Sequence, residues 1–466
     1  MPSQRRASAL LLAALLALPG WARGSDARGA ALERYFRGLQ AHDGFSGAVV
    51  VSEQGSVVYA HAFGLADRER QAAFTLATPV DGASLTKTFT AAAILALVAD
   101  GRIHLDDPAR PLLPELPWDL TLRQLVTHSN GLPDYDWFEP YLGTGEIRTN
   151  ERHLAILRDR RPAPRLTPGA SFEYSNLGFD AAAVVVERVT RGTFEAFLRD
   201  RFFRPLGMTD SFIRPARLSA FEGTRTRGYR RRGGAVVLFD AFDLEGFYGG
   251  GNLYTSARDL ARWNEAWIDQ PPLDAATLAA GLTPAVLGEG TSALTLLNLY
   301  SSPDRTRFWY HGHHQGFHDT IWRDLPRRRS VVFVSNSAIG GDLQAGLVPA
   351  VVAILDGRHP GPAPSWKPLA AADLEAVTGR WSVDGVGEVE IARDGDFLRL
   401  RHVTGVRYRL FRTEPAVFYA PGLDAWIGFD RDARGRVAAL VWRTVLGSAL
   451  GRRPLPRRAA ARDLGP

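Results

Sequence analysis

The sequence predicts an α/β domain followed by a small β-barrel, and three observations support this prediction. Segments with the periodicity of strands and of helices alternate over residues 30–355. A proline-rich stretch at residues 356–368, which ends in GRHPGPAPSWKP, cannot carry regular structure and predicts a linker. Residues 369–450 then contain short runs of alternating apolar and polar residues, which predict a lipocalin-like β-meander or small barrel.

The first domain begins with a predicted β-hairpin. Residues 47–52 and 56–62 are rich in Val and Ala and are separated by a short turn. Residues 84–100 combine strong helix formers with apolar residues at helical spacing, and residues 180–190 form a second predicted helix. Residues 329–335, RSVVFVS, predict a buried strand.

The second domain has the pattern of successive antiparallel strands. Residues 388–391 and 397–400 alternate apolar and polar side chains on either side of the turn Asp394-Gly395. A further run of this kind follows at residues 437–442. Residues 451–466 are mainly Arg, Ala and Pro, a composition typical of a disordered tail.

The N-terminus has the features of a secretory signal peptide at residues 1–22. Arg5 and Arg6 precede an apolar core at residues 7–18, and residues 20–22 form the predicted cleavage site. The core is too short to span a bilayer, so the segment predicts export to the periplasm or the exterior. An uncleaved anchor is the alternative interpretation.

Composition excludes several classes of function. The chain of 466 residues has no cysteine, which excludes lipid attachment through Cys, disulfide bonds and a thiol nucleophile. The net charge of +6 comes from scattered arginines, with short runs at residues 230–232 and 327–329. No aromatic ladder accompanies these runs, so we interpret them as solvated surface and expect no nucleic-acid partner. We expect no membrane partner beyond the signal peptide.

Lysine is rare in this chain, which draws attention to Lys87. Only two of the 56 Lys and Arg residues are lysines, and the other, Lys367, lies in the predicted linker. Lys87 follows Ser84 by three residues, nearly one helical turn, so the two side chains share a face of the predicted helix. Arg cannot lose its proton in a protein, whereas Lys can. The pair therefore predicts a nucleophile and a general base.

A second polar pair follows the turn-forming Pro168-Gly169. A serine hydrolase needs a group that relays a proton to the leaving group. Tyr174 and Asn176 are two residues apart, and in an extended or looped segment such residues project to the same side. We therefore expect both side chains to face one cleft.

In this order, the fragments resemble the serine beta-lactamase-like family. This family includes class C beta-lactamases, D,D-carboxypeptidases (penicillin-binding proteins), D-aminopeptidases and certain carboxylesterases. The resemblance implies an α/β (α+β) domain in which an antiparallel sheet is flanked by helices. It extends over about residues 45–337 and rests on the fragments FSGAV at 45–49, ASLTK at 83–87, LDDP at 105–108, LVTHSNGLP at 125–133, YSN at 174–176 and GGGNLYTS at 249–256.

The resemblance also implies roles for four residues. Ser84 forms the acyl-enzyme, and Lys87 serves as the general base, a role that is disputed among related enzymes. Tyr174 transfers protons, and Asn176 either binds the substrate amide or holds Lys87 in position. The implied reaction is hydrolysis of a small-molecule ester, amide or peptide without a cofactor.

The third family motif is where this sequence departs from its relatives. They have Lys-Thr-Gly or His-x-Gly on a strand lining the cleft, followed by Gly-Phe, whereas residues 308–317 here are FWYHGHHQGF. The alignment places Tyr310 where Lys or His is usual, and His311 takes that place only if the register shifts by one. Neither side chain gives a permanent positive charge to pair with a substrate carboxylate. The departure favours uncharged acyl groups over beta-lactams.

The same motif supplies further predicted binding residues. Gly312 and His313 join Tyr310 and His311 as candidates for substrate binding. Under the family geometry, the backbone N–H of His313 and that of Ser84 form the oxyanion hole.

Three other functions remain open from the sequence. The chain could be a true beta-lactamase or D,D-carboxypeptidase, or an inactive ligand-binding homologue. It could also bind zinc, because alternate histidines on a strand can ligate this metal. The zinc hypothesis rests on His311, His313, His314, His318 and Asp319.

His128 is interpreted as a structural hydrogen-bonding residue of a Ser-Asn-Gly turn.

Overall fold

The structure is a computed structural model. It divides into two compact units, one comprising Met1–Ala30 and Ser46–Ala338 and the other Ala31–Phe45 and Ile339–Pro466. The predicted signal peptide, residues 361–368 of the predicted linker and residues 453–466 of the predicted tail lie outside the described residues. The described residues are 27–41, 45–232, 235–269, 272–288, 290–337, 340–358, 360, 371–384, 386–394, 397–401, 407–414, 417–420, 425–444 and 447–452.

The helices of the described chain range from one turn to four turns. Within the part of the chain that the structure describes, no helix is both long enough and apolar enough to cross a membrane. The helices are α1 (Ala27–Ala41), α2 (Thr86–Ala99), α3 (Leu122–Val126), α4 (Asn150–Arg160), α5 (Asn176–Thr190), α6 (Phe194–Leu198), α7 (Arg204–Leu206), α8 (Ala257–Asp269), α9 (Ala275–Gly281), α10 (Gly340–Leu355) and α11 (Ala371–Val377).

The strands before residue 338 form one large sheet and several small ones. They are β1 (Gly47–Glu53), β2 (Ser56–Phe63), β3 (Leu65–Asp67), β4 (Ala72–Ala73), β5 (Val80–Asp81), β6 (Phe212–Ile213), β7 (Tyr229–Arg232), β8 (Ala235–Leu238), β9 (Leu253–Thr255), β10 (Pro284–Leu287), β11 (Gly290–Thr295), β12 (Tyr300–Ser301), β13 (Arg307–His314), β14 (Phe317–Asp324) and β15 (Arg329–Ser335).

The large sheet has six strands in the order β12-β13-β14-β15-β1-β2. Every neighbouring pair is antiparallel, which confirms the predicted antiparallel sheet and the hairpin of β1 and β2. Strand β15 has the predicted bounds and is buried along its whole length, because its Val- and Phe-rich sequence pairs with β1 on one side and β14 on the other.

Helix α2 lies in the centre of the first unit. Its residues from Thr86 to Leu97 are buried, so its sequence is mainly apolar around the whole helix after the polar first turn that contains Lys87. Helix α8 packs against the sheet, and Phe89 of α2 stacks on Trp263 of α8 with ring centroids 4.0 Å apart. Helices α2 and α5 also pack together. The apolar packing therefore fixes the start of α2 relative to both α5 and the sheet.

Helix α5 begins earlier than predicted. It starts at Asn176 rather than at residue 180, because the Ser175 hydroxyl accepts a hydrogen bond from the Gly178 N–H and caps the helix. Asn176 is therefore a helical residue, whereas the sequence predicted an extended or looped segment.

The C-terminal strands form a closed barrel, as predicted. Its strands pair in chain order, and their alternate side chains, such as Leu398, Leu400 and Leu410, are fully buried. The last strand continues to Arg452, slightly past the predicted start of the tail. The strands are β16 (Gly379–Val383), β17 (Gly387–Asp394), β18 (Phe397–Arg401), β19 (Arg407–Glu414), β20 (Val417–Ala420), β21 (Ala425–Arg431), β22 (Val437–Thr444) and β23 (Gly447–Arg452).

The boundary between residues 355 and 356 stays a prediction of the sequence. Within the structure, α10 groups with the C-terminal unit.

Candidate active site

Ser84 lies in a tight turn immediately before helix α2. Residues Ala83–Leu85 form a 3₁₀ turn, and Ala83 has a left-handed backbone with φ of 46°. An alanine adopts this conformation only when surrounding contacts hold it. Such contacts are present, since the Ala83 carbonyl accepts a hydrogen bond from the Thr86 hydroxyl at 2.7 Å. The Gly82 N–H likewise donates to the Leu253 carbonyl at 2.8 Å.

Lys87 is fully buried and points toward Ser84. Its Nζ donates to Ser84 Oγ at 3.2 Å, to Asn176 Oδ1 at 2.7 Å and to the Gly250 carbonyl at 2.6 Å. The three acceptors match the three N–H groups of a lysine ammonium. The lysine head is therefore fixed beside the serine hydroxyl.

Tyr174 completes the group around Ser84. Its Oη is 2.8 Å from Ser84 Oγ, and Lys87 Nζ lies 4.9 Å from the centre of its ring. Burial of the phenol opposes its ionisation, but the charge of Lys87 and hydrogen bonds from Lys87, Ser84 and Tyr310 outweigh this effect and lower the pKa of Tyr174. The lowered pKa increases the fraction of Tyr174 that is ionised at neutral pH, and only the ionised phenol can accept a proton.

Asn176 connects Lys87 to a carboxylate. Its Nδ2 lies 3.1 Å from both carboxylate oxygens of Asp134 and donates to them, which turns Oδ1 toward Lys87. Of the two roles considered for Asn176, its observed contact corresponds to holding Lys87. Binding of a substrate amide stays a prediction.

Asp180 supports the third acceptor of Lys87. Its carboxylate accepts hydrogen bonds from the Gly250 N–H at 2.8 Å and from Tyr135 Oη at 2.9 Å. Burial raises the pKa of Asp180 to about 7, although these two hydrogen bonds and Lys87 act in the opposite direction. Sequence reasoning missed Asp134, Asp180 and the Gly250 carbonyl. Asp180 was the first residue of the predicted helix, where an acidic side chain is common, so its position in the sequence offered no signal for its role.

Tyr310 reaches the site from strand β13. It is buried, and its Oη donates to Tyr174 Oη at 3.4 Å. His311 points to the other face of the sheet, where its Nδ1 lies 2.8 Å from Thr320 Oγ1. Of these two candidates for the third-motif position, Tyr310 is the one that contacts the site. Burial and the neighbouring Tyr174 raise the pKa of Tyr310 well above its ordinary value, so Tyr310 supplies a neutral hydroxyl.

Gly312 brings strand β13 against the turn that carries Ser84. A Cβ at this position would lie 2.5 Å from the Gly82 carbonyl oxygen, a distance that only glycine allows. His313 follows Gly312 and lines the same cleft as Ser84. The close approach of Gly312 is the reason that the backbone of β13 borders the nucleophile.

His128 contacts the site from behind. Its Nδ1 accepts the Ser175 N–H at 2.9 Å, so Nε2 carries the proton and donates to Asn298 Oδ1 at 2.8 Å. Burial and the charge of Lys87 lower the pKa of His128 to about 3. The neutral ring stacks on Tyr174 with centroids 4.6 Å apart. These contacts agree with the interpretation of His128 as a hydrogen-bonding residue, whereas Asn298 was not foreseen.

The histidines of β13 and β14 point to different partners. His311 contacts Thr320, His314 contacts Asp81, and the ring of His313 lies 4.3 Å from that of His318. The described residues include no group of three or more His, Cys, Asp or Glu side chains placed to hold a metal ion. The zinc hypothesis therefore has no structural support among them.

A cleft of about 340 Å³ includes Ser84 in its lining. The lining combines polar and charged side chains with the apolar rings of Phe242 and Phe247; the former include Asp81, Tyr174, Asn176, Glu245, His313, His314 and Gln315. Phe242 is 54% exposed, unlike most aromatic side chains of this unit. The cleft therefore offers both reactive groups and an apolar surface to a ligand.

Comparison with known proteins identifies the family. The family model described as Beta-lactamase matches residues 32–353. The chain belongs to the Beta-lactamase family. Members of the Beta-lactamase family are serine hydrolases, which include penicillin-binding proteins, an amidase and beta-lactamases.

Individual Beta-lactamase family relatives are distant. Penicillin-binding protein 4* of Bacillus subtilis is 24% identical over 419 residues, which cover 85% of this chain and 93% of that protein. The octameric penicillin-binding protein homologue from Pyrococcus abyssi has a TM-score of 0.64 at 22% identity, covering 91% of this chain and all of that one. A D-amino acid amidase from Ochrobactrum anthropi SV3 has a TM-score of 0.57 at 23% identity, covering 70% and 99%. These structures share the fold.

Proposed function

We propose that this chain is an exported serine hydrolase that forms an acyl-enzyme on Ser84 and acts on esters or amides of uncharged acyl groups. The observation that carries the proposal is the contact of Ser84 Oγ with Tyr174 Oη at 2.8 Å and with Lys87 Nζ at 3.2 Å. A serine hydroxyl is a weak nucleophile until a neighbouring group accepts its proton. Both neighbours are proton-transfer groups.

In the proposed acylation step, Ser84 Oγ attacks the carbonyl carbon of the substrate and transfers its proton to the Tyr174–Lys87 pair. The lowered pKa of Tyr174, caused by Lys87 and by three hydrogen bonds against the opposing effect of burial, supports Tyr174 as the immediate acceptor. Sequence comparison alone had favoured Lys87. In the proposal, Lys87 stabilises the tyrosinate by its positive charge.

The tetrahedral intermediate then collapses. Its carbonyl oxygen carries the negative charge, which the N–H groups of Ser84 and His313 are proposed to stabilise. The bond to the leaving alcohol or amine breaks, and the leaving group takes the proton held by Tyr174. In deacylation, water attacks the carbonyl carbon of the acyl-enzyme and gives a proton to Tyr174. The ester bond to Ser84 then breaks, Tyr174 returns the proton to Ser84 Oγ, and the acid is released.

The proposed substrate preference follows from Tyr310 and from the wall of the cleft. Tyr310 offers a neutral hydroxyl beside Tyr174, so it supplies no cation for a carboxylate. Phe242 and Phe247 in the lining of the cleft favour an apolar acyl group. We therefore propose that esters of apolar acids are better substrates than beta-lactams.

A fluorophosphonate probe tests the nucleophile. We expect one adduct on Ser84, mapped by mass spectrometry, and none in Ser84→Ala. Ser219→Ala changes an exposed serine elsewhere in the unit and should label as wild type does. Undiminished labelling of the Ser84→Ala protein would rule out the proposed nucleophile.

A parallel panel tests the substrate class. It comprises p-nitrophenyl esters, nitrocefin and a D-alanyl peptide. We expect kcat/KM for the best ester to exceed that for nitrocefin by about 10-fold or more. This ratio corresponds to the free energy of one charge-assisted hydrogen bond, which the carboxylate of nitrocefin would lack. Faster turnover of nitrocefin would instead favour a beta-lactamase, and faster release of D-alanine a carboxypeptidase.

Export is proposed from the sequence of residues 1–22. The full-length gene product, expressed in a Gram-negative host and separated into periplasm, membrane and cytoplasm, should be found in the periplasm with a new N-terminus near residue 22. Retention in the membrane at full length would support the uncleaved anchor.

A further inference from the structure

An ion pair of Asp81 and His314 borders the cleft that contains Ser84. Asp81 ends strand β5, and its side chain is fully buried. One carboxylate oxygen accepts the Ala83 N–H at 2.9 Å, and the other lies 2.8 Å from His314 Nδ1. One carboxylate therefore contacts both the turn that carries Ser84 and the last residue of β13.

His314 in this pair has the contacts of an imidazolium. Its second nitrogen, Nε2, lies 3.3 Å from Glu245 Oε2, so both ring nitrogens face carboxylates. Burial opposes protonation, but the hydrogen bonds and charges of Asp81 and Glu245 outweigh this effect and raise the pKa of His314 to about 10. Burial also opposes ionisation of Asp81, yet His314, the Ala83 N–H and Arg214 lower the pKa of Asp81.

The two residues lie beside the backbone of both proposed oxyanion donors. Asp81 binds the N–H of Ala83, whose strained left-handed backbone immediately precedes Ser84. His314 immediately follows His313 on β13. Gly312 already brings this strand within contact of Gly82 and Ala83. Through the ion pair, the backbone just before the proposed oxyanion donor Ser84 is thus connected to His314. His314 directly follows the other proposed donor, His313.

We infer that the Asp81–His314 ion pair is a positioning device that sets the separation of the Ser84 and His313 backbone N–H groups. The inference rests on the proposed function, because the oxyanion hole stabilises a charged intermediate only if the protein catalyses acyl transfer. Asp81 and His314 are positioning residues, since their side chains act through the backbone of their neighbours. The consequence is that breaking the pair weakens binding of the transition state more than binding of the substrate.

Two substitutions separate the charge from the fold. Asp81→Asn keeps an oxygen for the Ala83 N–H and removes the charge, whereas His314→Gln removes the cation and keeps a donor of similar length. A misplacement of about 1 Å at a reacting centre costs about 100-fold in rate. We therefore expect each substitution to lower the acylation rate constant by about 10- to 100-fold, with the dissociation constant of the substrate, obtained from the concentration dependence of the burst rate, changed by less than about 3-fold.

The experiment is active-site titration with a p-nitrophenyl ester. Burst amplitude counts the competent active sites, and burst rate reports acylation for each competent site. A purely structural role would lower the amplitude and leave the rate unchanged. Glu115→Gln is the matched control, because it breaks the half-buried pair of Glu115 with Arg188 at 2.7 Å, away from the cleft, and should leave both quantities unchanged.

The double variant completes the test. Asp81→Asn/His314→Gln should acylate no more than about 3-fold more slowly than the slower single variant, because both changes break the same link. Affinity for a boronic acid, which forms a tetrahedral adduct on the serine, should fall in parallel with the rate. If one single variant fails to fold, the other carries the comparison.

The outcomes distinguish this inference from the proposed function. A wild-type protein that gives no burst and no adduct on Ser84 would overturn both. A wild-type burst, together with variants whose burst rates equal the wild-type rate, would overturn the positioning role alone. Slower bursts at preserved amplitude, with weaker boronate binding, support it.

Discussion

Tyr310 donates a hydrogen bond to Tyr174, with the two phenol oxygens 3.4 Å apart. Tyr174 in turn contacts Ser84 Oγ at 2.8 Å. The strand residue nearest the proposed proton-transfer group is thus a neutral hydroxyl that stabilises a tyrosinate. A residue of the cleft strand therefore tunes the proposed base.

Removing this hydrogen bond is expected to move the pH dependence of the reaction. Tyr310→Phe should raise the pKa of Tyr174, because the lost donor favoured the ionised form. The ionised fraction at neutral pH then falls, so the acidic limb of the kcat/KM profile moves to higher pH. We expect a loss of about 3- to 10-fold at pH 7, the value of one hydrogen bond. Tyr141→Phe, outside the cleft, is the control, and an unshifted limb would contradict the role of Tyr310.

The two lysines of the chain allow a matched comparison. Lys87→Arg keeps the positive charge, but the larger planar guanidinium cannot keep the three short hydrogen bonds that Nζ makes beside Ser84. The misplaced charge should stabilise ionised Tyr174 less, so we expect acylation of Ser84 to slow by about 10³-fold, within the range of lost acid–base catalysis. Lys367→Arg makes the same chemical change in the linker sequence and should leave the rate unchanged. Equal rates for the two variants would show that Lys87 is dispensable.

Asp180 is expected to make stability depend on pH between 4 and 7. Burial raises the pKa of Asp180 to about 7, against 3.8 for an ordinary aspartate. Between these values the folded state binds more protons than the unfolded state, so Asp180 lowers stability as the pH rises. Asp180→Asn should flatten the decline in Tm from pH 4 to pH 7, measured by calorimetry.

The control for this experiment is an aspartate whose pKa is shifted in the opposite direction. Asp274 caps helix α9, and hydrogen bonds from Thr277 lower its pKa below 3.8. Its contribution is present above pH 3.8 and is lost as the pH falls through the lowered value. Asp274→Asn should therefore leave the slope between pH 4 and pH 7 unchanged. A slope that is unaltered in Asp180→Asn as well would contradict the assigned pKa.

His128 is expected to affect stability rather than proton transfer. Its pKa of about 3 keeps the ring neutral at working pH, so His128→Phe should remove no limb from the pH–rate profile. The substitution keeps a ring beside Tyr174 but leaves the Ser175 N–H and the Asn298 side chain without their partner. We expect a loss of about 1–3 kcal/mol in the free energy of unfolding, measured by urea titration. Disappearance of a limb near pH 6.5 would instead identify His128 as a catalyst.

Local sequence patterns predicted the helix that follows the nucleophile and several of the strands. The helix formers after Ser84, the Val-rich run of β15 and the alternating runs of the barrel each encode their structure within a few residues. The start of α5 was placed too late, because Ser175 looked like part of a loop when its hydroxyl in fact caps the helix.

Residues that act through distant partners could not be predicted. Asp134 lies 42 residues from Asn176, and Asp81 lies 233 residues from His314. No local periodicity specifies such pairings, because tertiary packing alone brings the partners together. No sequence pattern singled out Asp81, and His314 was grouped with neighbouring histidines in the zinc hypothesis. Successive side chains on β13 point to opposite faces of the sheet. Only this alternation distinguishes the ion-pair role of His314 from the proposed metal-binding role of the histidine group.

The exposed ring of Phe242 at the rim of the cleft has a practical consequence. Because the chain contains no cysteine, Phe242→Cys would create a unique thiol within the lining of the reactive cleft. A fluorophore attached there would report the arrival and departure of an acyl group by its emission. The occupancy of the site could then be followed in real time, including for substrates that have no chromophore.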